Sequence, residues 1–356
     1  MAEAKLIFTT DYEIFGNGSG SVEHCMIKPT EDMARLLEKH GARMTVFFDI
    51  CEYWAFKAEF EKGTLSENWA QLIESQLQDL VQRGHDVQLH FHPQWLDYEF
   101  DGQDWKLNFD LWRIGVLKYE DETYPERGLD QLFKRGKETL ETLLQPVKSD
   151  YRCHIFRAGA WSMQPETDVL RAMRENGFDI DSTVVPGLKF EDNFTKYDFT
   201  AAPKDRPHWT IQSNLCQPEL DGTITEIPIF SAPTPLVTNA AFLWMKSNRK
   251  IAFKPDGCSG TAIATEGKGK WRKILETITT SRKMFTFGDA TPAEEMKYMV
   301  GRALREVHRM NVNLPVVAIS HPKTFANTEE FDVFLAWCVG QKNVEFSTYD
   351  NYLKGE

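Results

Sequence analysis

The sequence predicts an α/β protein in which parallel strands alternate with helices around a single core. Short apolar runs alternate with amphipathic stretches along most of the chain. A length of 356 residues suits one barrel-sized domain with insertions, although two smaller domains also fit. Residue types that bind metals or move protons stand at the ends of several predicted strands. A parallel barrel is favoured because it gathers such strand ends on one face.

The first third of the chain predicts strand, helix, strand, helix, strand. Residues 6–13 form an apolar run that ends in two carboxylates, and 29–40 carries apolar residues at helical spacing before a glycine. The apolar run 44–50 predicts the second strand. The second helix is predicted at 67–83, again before a glycine, and the third strand at 84–93.

The rest of the chain repeats this pattern with longer interruptions. Helices are predicted at 129–144, 165–176, 291–310 and 329–339, and strands at 153–157, 178–184, 314–320 and 344–347. Thr291-Pro-Ala-Glu294 has the pattern of a capping box with proline at the first helical position. Three stretches, 93–127, 191–220 and 231–289, are predicted as insertions or lids. The lysine-glycine segment 266–270 lacks the spacing of a phosphate loop and predicts no cofactor site.

The composition excludes several classes of partner. A net charge of −12 and a pI near 5.3 disfavour nucleic acids and anionic membranes, because both attract basic surfaces. No window reaches the ~20 apolar residues of a membrane span, and the first residues lack a signal pattern, so we expect a cytoplasmic protein. The six cysteines are widely spaced, which predicts buried free thiols and no disulfide framework.

His90 and His92 supply the strongest signal of chemistry. Residues two apart on a strand point to the same face, so the two imidazoles converge, and neutral imidazole is a common metal ligand. Catalytic zinc-type sites use three protein ligands and leave a position for water. The third ligand is expected from Asp11 or Glu13, two carboxylates at the end of the first apolar run. One of them can bind metal while the other moves protons.

Further candidate side chains stand close to predicted strand ends. Arg157 and His321 fall there, and a barrel would bring both to the face that carries the histidine pair. Trp95 and Trp161 are either core aromatic residues or candidates for stacking on a ring of the substrate, because binding clefts are commonly lined by aromatic side chains.

Six short motifs occur in order along the chain: Thr9-Thr-Asp-Tyr-Glu13, Gly84-His-Asp with His90-Phe-His-Pro93, Phe156-Arg-Ala-Gly-Ala-Trp161, Gly177-Phe-Asp-Ile-Asp-Ser-Thr183, Thr225-Glu-Ile-Pro228 and Ile319-Ser-His-Pro322. Together they resemble the polysaccharide deacetylase family (carbohydrate esterase family 4, the chitooligosaccharide deacetylase homology domain). The resemblance covers residues 5–186, 223–230 and 314–323. It implies a single domain over residues 1–356, folded as a distorted (β/α)7 barrel with the insertions as added loops.

The resemblance implies a hydrolase that removes the acetyl group from an acetylated amino sugar, a precursor in surface polysaccharide biosynthesis. Its cofactor would be one divalent metal ion, with zinc expected first and cobalt or nickel as alternatives. Glu13, His90 and His92 would hold the metal. Asp11 would act as general base, and Arg157 would orient it.

His321 would protonate the departing amine, which is otherwise a poor leaving group. Asp179 or Asp181 would tune this histidine or the site arginine. The common family pattern has adjacent aspartates and two histidines four apart, whereas both spacings are two in this sequence. The roles of Asp11 and Glu13 are therefore exchangeable at this stage.

Other functions remain open on the sequence alone. A deformylase acting on a lipid-linked sugar, or a hydrolase of a small cyclic amide, would use the same residues. A catalytically silent sugar-binding barrel would keep the aromatic residues without hydrolysis. A urease-type amidohydrolase is disfavoured, because its histidine pair belongs on the first strand. The expected partner is an N-acetylated sugar or a sugar-linked small molecule.

Overall fold

The computed structural model describes residues 2–263 and 281–355. Within them the strands are β1 Ala4–Tyr12, β2 Met44–Asp49, β3 Asp86–Phe91, β4 Tyr98–Phe100, β5 Trp105–Leu107, β6 Ile155–Ala158, β7 Ile180–Asp181, β8 Lys189–Glu191, β9 Lys196–Asp198, β10 Trp209–Ile211, β11 Ile224–Glu226, β12 Ser231–Pro233, β13 Arg282–Met284, β14 Leu314–Ser320 and β15 Val344–Phe346. The α-helices are α1 Lys28–Lys39, α2 Ile50–Glu61, α3 Trp69–Gln82, α4 Leu129–Leu144, α5 Thr167–Glu175, α6 Leu236–Asn248, α7 Ala293–Met310, α8 Thr328–Val339 and α9 Tyr349–Lys354.

A curved, mainly parallel sheet forms the centre of the fold. Seven parallel strands pair in the order β11-β7-β6-β3-β2-β1-β14, with β10 antiparallel to β11 and β15 parallel to the start of β1. Bridges join Ile229 to Val317 and Thr286 to Ile319, so β14 also bonds to segments that follow β11 and β13. The fold is mixed α/β with a sheet curled as in a half-barrel.

The sequence pattern explains these layers. Strands β2 and β14 are buried at every residue, as expected of parallel strands covered on both faces. Helix α1 buries Met33, Ala34 and Leu37 on one side and places charged residues on the other. The helices therefore screen the sheet from solvent, while the carboxyl ends of its strands remain available for a site.

Most predicted elements are confirmed, and α4 and β14 match the predicted bounds to the residue. No periodic pattern in the sequence predicts α2, because this helix is buried on most of its faces. The predicted capping box of α7 is wrong. Pro292 takes the N-cap position, and the hydroxyl of Thr291 bonds to Asp289 instead of to the helix.

The predicted insertions contain short hairpins and turns. Residues 93–127 include the β4–β5 hairpin, 191–220 include β9 and β10, and 231–289 include β12, α6 and β13. The segment 266–270, from which no cofactor role is expected, lies outside the described residues. No helix in the described ranges has both the length and the apolar character needed to cross a bilayer.

The cysteine prediction is wrong for two residues. Cys25 and Cys258 form a disulfide across 233 positions of sequence. The four free cysteines are buried, as predicted: Cys51, Cys153, Cys216 and Cys338. The pairing could not be predicted from spacing, because folding alone brings residues so distant in sequence together.

Candidate metal centre

Glu13, His90 and His92 meet at the carboxyl ends of β1 and β3. Strand β2 pairs with both of these strands, and its register sets their ends side by side. The ligand atoms of the three side chains all lie within 4.8 Å of one another, and all three residues are buried. The structure thus brings together the three residues predicted as metal ligands.

In its neutral form, His90 presents an unprotonated nitrogen to this cluster. Its Nδ1 lies 2.8 Å from the carbonyl oxygen of Arg157, which can only accept, so a neutral His90 carries its proton on Nδ1. Its Nε2 is buried without a hydrogen-bond partner and lies 3.7 Å from Oε2 of Glu13. Metal-binding histidines typically donate from one ring nitrogen to a carbonyl or carboxylate in this way.

His92 is fixed by close packing. Its Nε2 lies 2.5 Å from Oε2 of Glu13, and its Nδ1 lies 3.3 Å from the side-chain amide of Gln94. The ring packs against Gly159, where a Cβ atom would lie 2.9 Å from the imidazole and 2.3 Å from the carbonyl oxygen of Phe91. Only glycine fits this position without moving the histidine.

The electrostatics of the cluster favour a cation. Burial alone would raise the pKa of Glu13, but neighbouring positive charges hold it well below its usual value. Burial likewise opposes ionisation of Asp11, yet its pKa is lowered, chiefly by Arg157. Both carboxylates are therefore anionic at neutral pH. They also raise the pKa of His90 against the effect of its burial.

Asp11 is held by one oxygen and free at the other. The guanidinium of Arg157 is fully buried and donates to Oδ1 of Asp11 at 2.8 Å and to the carbonyl oxygen of Ser182 at 2.9 Å. Oδ2 of Asp11 lies 3.9 Å from Nε2 of His90 and 3.7 Å from Nε2 of His321. Asp11 therefore lies beside the ligand cluster with one oxygen directed towards it.

His321 and Lys323 enter the site from the loop after β14. Nε2 of His321 lies 3.9 Å from Oε1 of Glu13, and burial is the main cause that lowers its pKa to about 4. Nζ of Lys323 lies 2.5 Å from the same oxygen and donates to the carbonyl of Ile14 at 2.9 Å. Lys323 is not among the site residues predicted from the sequence, although its place two residues after a strand-end histidine was the available signal.

Asp49 is a second residue of the site that was not predicted from the sequence. It ends β2, and its Oδ1 accepts from the backbone N–H groups of His92 at 3.1 Å and Cys51 at 3.2 Å. Its Oδ2 is buried without a partner, and burial raises its pKa to about 6. A charged residue at the end of the apolar run 44–50 was the signal that could have identified it.

The predicted sugar contact of Trp95 is wrong. Trp95 is 1% exposed, and its ring packs edge-on against Phe56 at 5.5 Å and Trp105 at 5.1 Å. The 3-10 turn Pro93–Leu96 carries this ring into the core. Trp161 is half-buried, and its contact with a sugar stays a prediction.

Asp179 directly precedes β7, and Asp181 is the last residue of that strand. Asp179 contacts Nδ1 of His154 at 2.7 Å, so Asp181 is the better placed of the two aspartates predicted to tune the site. Asp181 is buried, pairs in register with Glu226 and has a pKa raised by burial. The tuning of Arg157 by Asp181 stays a prediction.

A cavity of about 350 Å³ opens beside the cluster. His321 lines it, together with the aromatic residues Phe15, Trp112 and Phe194. The ring of Trp112 also lies 5.5 Å from that of His92, which joins the cavity to the cluster. Two of these aromatic residues lie in the predicted insertions, where sequence periodicity identifies no site.

The donor set fits a divalent ion. Two imidazoles and one carboxylate are a ligand set that catalytic zinc sites use, with the fourth position left for water or substrate. The unpartnered Nε2 of His90 and the two ionised carboxylates beside it supply the lone pair and the negative charge that such an ion needs. The cluster can therefore hold a metal, whose identity the ligands alone do not fix.

No family model and no curated protein sequence matches the chain. Among solved structures it is similar to a Mycobacterium smegmatis protein assigned to the polysaccharide deacetylases, with 12% identity, a TM-score of 0.47 and coverage of 100% of this chain and 93% of that one. It is also similar to the allantoinase Puue (11%, 0.46, 99% and 90%) and to a GH57 branching enzyme of Thermococcus kodakaraensis (12%, 0.48, 99% and 71%). All three TM-scores lie below 0.5, so the function is inferred from the chain's own residues.

Proposed function

We propose that this protein is a metal-dependent amide hydrolase that removes the acetyl group from an acetylated amino sugar. The observation that supports this most strongly is the buried cluster of Glu13, His90 and His92 beside a carboxylate, Asp11, that Arg157 holds in place. Amide hydrolysis requires a polarised carbonyl, an activated water and a protonated leaving group. The cluster and its neighbours supply groups for all three.

A bound divalent ion would polarise the acyl oxygen and bring the pKa of a bound water towards about 7. Asp11 accepts the proton of the attacking water on Oδ2, while Arg157 keeps Oδ1 fixed. His321 lies 3.7 Å from that Oδ2. With its pKa lowered to about 4 it is neutral at neutral pH, so it would receive the proton of the attacking water by way of Asp11 before its Nε2 passes a proton to the departing amine. Glu13 is assigned as the ligand and Asp11 as the base, because Glu13 contacts both histidines within the cluster.

The proposal also covers the type of barrel, the metal and the substrate. The curved sheet would be a distorted (β/α)7 barrel of the deacetylase type, and the metal would be zinc. The cavity lined by Phe15, Trp112 and Phe194 offers aromatic faces to a sugar ring. The substrate would be an N-acetylated precursor of a surface polysaccharide.

The predicted cytoplasmic location stays a prediction, and the Cys25–Cys258 disulfide is a feature more typical of oxidising compartments.

The test combines metal analysis with acetate release from a panel of acetamido sugars. Wild-type protein should bind one zinc ion per chain and release acetate, whereas His90→Ala should lose both properties. His308→Ala is the matched control, because this exposed histidine lies on α7 outside the cluster. Formate release from formamido sugars would identify a deformylase instead. Sugar binding by metal-loaded protein without any acyl release would contradict the proposal.

A further inference from the structure

A second cavity, lined by basic residues, lies at the other end of β14. It has a volume of about 70 Å³ and is lined by four cationic side chains, Lys204, Arg206, Arg282 and Arg302, and one carboxylate, Glu306. Leu314 and Pro315, at the start of β14, also line it, whereas His321, beside the metal cluster, follows the last residue of that strand. We call this the basic cavity.

The cations come from separate elements and converge closely. The side chains of Lys204 and Arg282 both pack over Gly187, where a Cβ atom would lie 2.9 Å from Cε of the lysine and 2.9 Å from Cδ of the arginine. Arg282 is anchored by Nη1, which donates to the carbonyl of Ser231 at 2.5 Å and to its hydroxyl at 3.1 Å. Burial first, and then the charge of Arg302, lower the pKa of Arg282 against the opposite effect of Glu306, as expected of two guanidinium groups held near each other.

Among the described residues, cationic side chains outnumber carboxylates at the basic cavity, where Glu306 is the one carboxylate in the lining. Within the described residues, Lys204, Arg282 and Arg302 form no ion pair, and Arg206 has only a 4.0 Å contact with Asp205. Glu306 is already paired with Arg309 at 2.7 Å. Such a concentration of unpaired cations is unusual on a chain with a net charge of −12. Because like charges at short range destabilise a fold, an anion bound between them would stabilise it.

We propose that the basic cavity binds the phosphate group of a small molecule. Guanidinium groups hydrogen-bond phosphate oxygens in pairs, and a lysine adds a point charge. A volume of about 70 Å³ exceeds the ~10–15 Å³ that a cavity needs to hold one water, and it suits a small anion such as one phosphate group rather than a polymer. Proline residues line much of the rest of the cavity and leave it rigid. The ligand is free phosphate or the phosphate of a phosphorylated metabolite.

Isothermal titration with inorganic phosphate and with a hexose phosphate, at low and high chloride, tests this proposal. Wild-type protein should bind one phosphate group per chain, and Arg302→Gln and Lys204→Gln should each weaken binding at least about 10-fold. Arg305→Gln is the matched control, because this exposed arginine on α7 does not line the basic cavity and should leave binding unchanged. Equal affinity for both ligands would identify the phosphate alone as the recognised group, and tighter hexose phosphate binding would identify a metabolite.

Two results would overturn the proposal. One is the absence of saturable binding of either ligand to wild-type protein at low chloride. The other is an equal loss of affinity in Arg305→Gln, which would show that only overall charge matters. Unfolding midpoints of the variants should stay close to wild type, since none of the three side chains is buried. Metal content and acetate release report on the site at the other end of β14. If the proposed hydrolase activity fails there, the phosphate titration still tests the basic cavity by itself.

Discussion

At the scale of single residues, several nitrogen atoms compete for the carboxylate of Glu13. Nε2 of His92 and Nζ of Lys323 lie 2.5 Å from its two oxygens, and Nε2 of His90 lies 3.7 Å away. A divalent ion at the cluster must share this carboxylate with the lysine. Lys323 is therefore expected to limit metal affinity rather than to increase it, because its charge repels the ion.

Lys323→Met should tighten zinc binding by about 10-fold, since it removes a positive charge next to a ligand in a partly buried site. Competition with a chromophoric chelator measures the dissociation constant. Lys254→Met is the matched control, because this lysine also lies over the ring of Phe15 but does not contact Glu13. Weaker zinc binding in Lys323→Met would show that the ammonium group supports the ligand instead of competing with the metal.

The pair Asp11→Asn and Glu13→Gln separates the base from the ligand. Asp11→Asn should keep zinc and lose more than about 100-fold in acetate release, because only proton transfer is removed. Glu13→Gln should lose zinc as well, because it removes a charged ligand from the cluster. Metal stoichiometry and acetate release are measured on the same preparations. Zinc loss in Asp11→Asn, with zinc retained in Glu13→Gln, would exchange the two roles.

The residues that sequence reasoning could identify are those whose position is set by local geometry. Side chains two apart on a strand share a face, which is sufficient to pair His90 with His92. Asp49 and Lys323 stand at predicted strand ends, but assigning them to this site required knowledge of which strands are neighbours, and this is set by tertiary pairing. Trp95 was misplaced because a 3-10 turn, invisible in the apolar pattern, carries its ring into the core.

At the scale of elements, features set by the local sequence pattern were again predictable, and features set by tertiary packing were not. Amphipathic helices such as α1 and α4 were predictable because one face is polar and the other buried. Helix α2 was not, because it is buried on most of its faces and follows β2 without an intervening loop. The insertions carry the aromatic residues of the cavity beside His321, and their conformation depends on contacts made after the sheet has formed.

The disulfide joins two elements beside that cavity. Cys25 lies in the π-helical turn Glu23–Ile27, and Cys258 lies in the segment 251–263, whose Gly260 packs against the ring of Phe15. Thr261 in the same segment exchanges hydrogen bonds with the hydroxyl of Ser19 at 3.0 and 3.2 Å. The bond therefore holds one side of the aromatic cavity in place.

Cys258→Ser should lower the free energy of unfolding by about 2–4 kcal/mol, because the bond closes a long loop of the unfolded chain. It should also raise KM for the acetamido sugar more than it lowers kcat, because it frees a wall of the cavity and leaves the metal ligands in place. Urea unfolding and steady-state kinetics measure the two effects. Cys216→Ser, at a buried free thiol, is the control for loss of a cysteine.

Counting thiols gives the complementary measurement. Denatured wild-type protein should expose four reactive thiols before reduction and six after it. Six thiols without reduction would contradict the bond. Because reducing compartments keep thiols reduced, the same count on protein taken directly from cells also tests the predicted cytoplasmic location.

At the scale of the whole molecule, separate charged groups lie at the two ends of the parallel strands. The carboxyl ends of the parallel strands hold the metal cluster, whereas the amino ends hold a separate charged group around His154. Its Nδ1 lies 2.7 Å from Asp179, next to β7, and its Nε2 lies 3.4 Å from Asp350 in α9. His154 thus ties the last helix of the chain to the sheet.

This tie should make the stability of the fold depend on pH in a defined direction. Burial opposes the charge of His154, but its two carboxylate partners outweigh burial and raise its pKa to about 9. A raised pKa contributes stability in full below the unfolded value of about 6.5, and that contribution is lost as the pH rises towards about 9. The two aspartates have lowered pKa values, so their own contributions are lost only in acid.

Wild-type protein should therefore lose about 2 kcal/mol more unfolding free energy than His154→Gln between about pH 6.5 and pH 9.5, after discounting for the half-exposed carboxylates. Urea unfolding at matched ionic strength measures both proteins, and the difference cancels the titration of lysines, tyrosines and thiols that they share. His308→Gln, which changes an exposed histidine away from β6, should follow wild type at every pH. Parallel pH profiles for wild type and His154→Gln would show that the ion pairs at the amino end of the sheet do not hold the last helix.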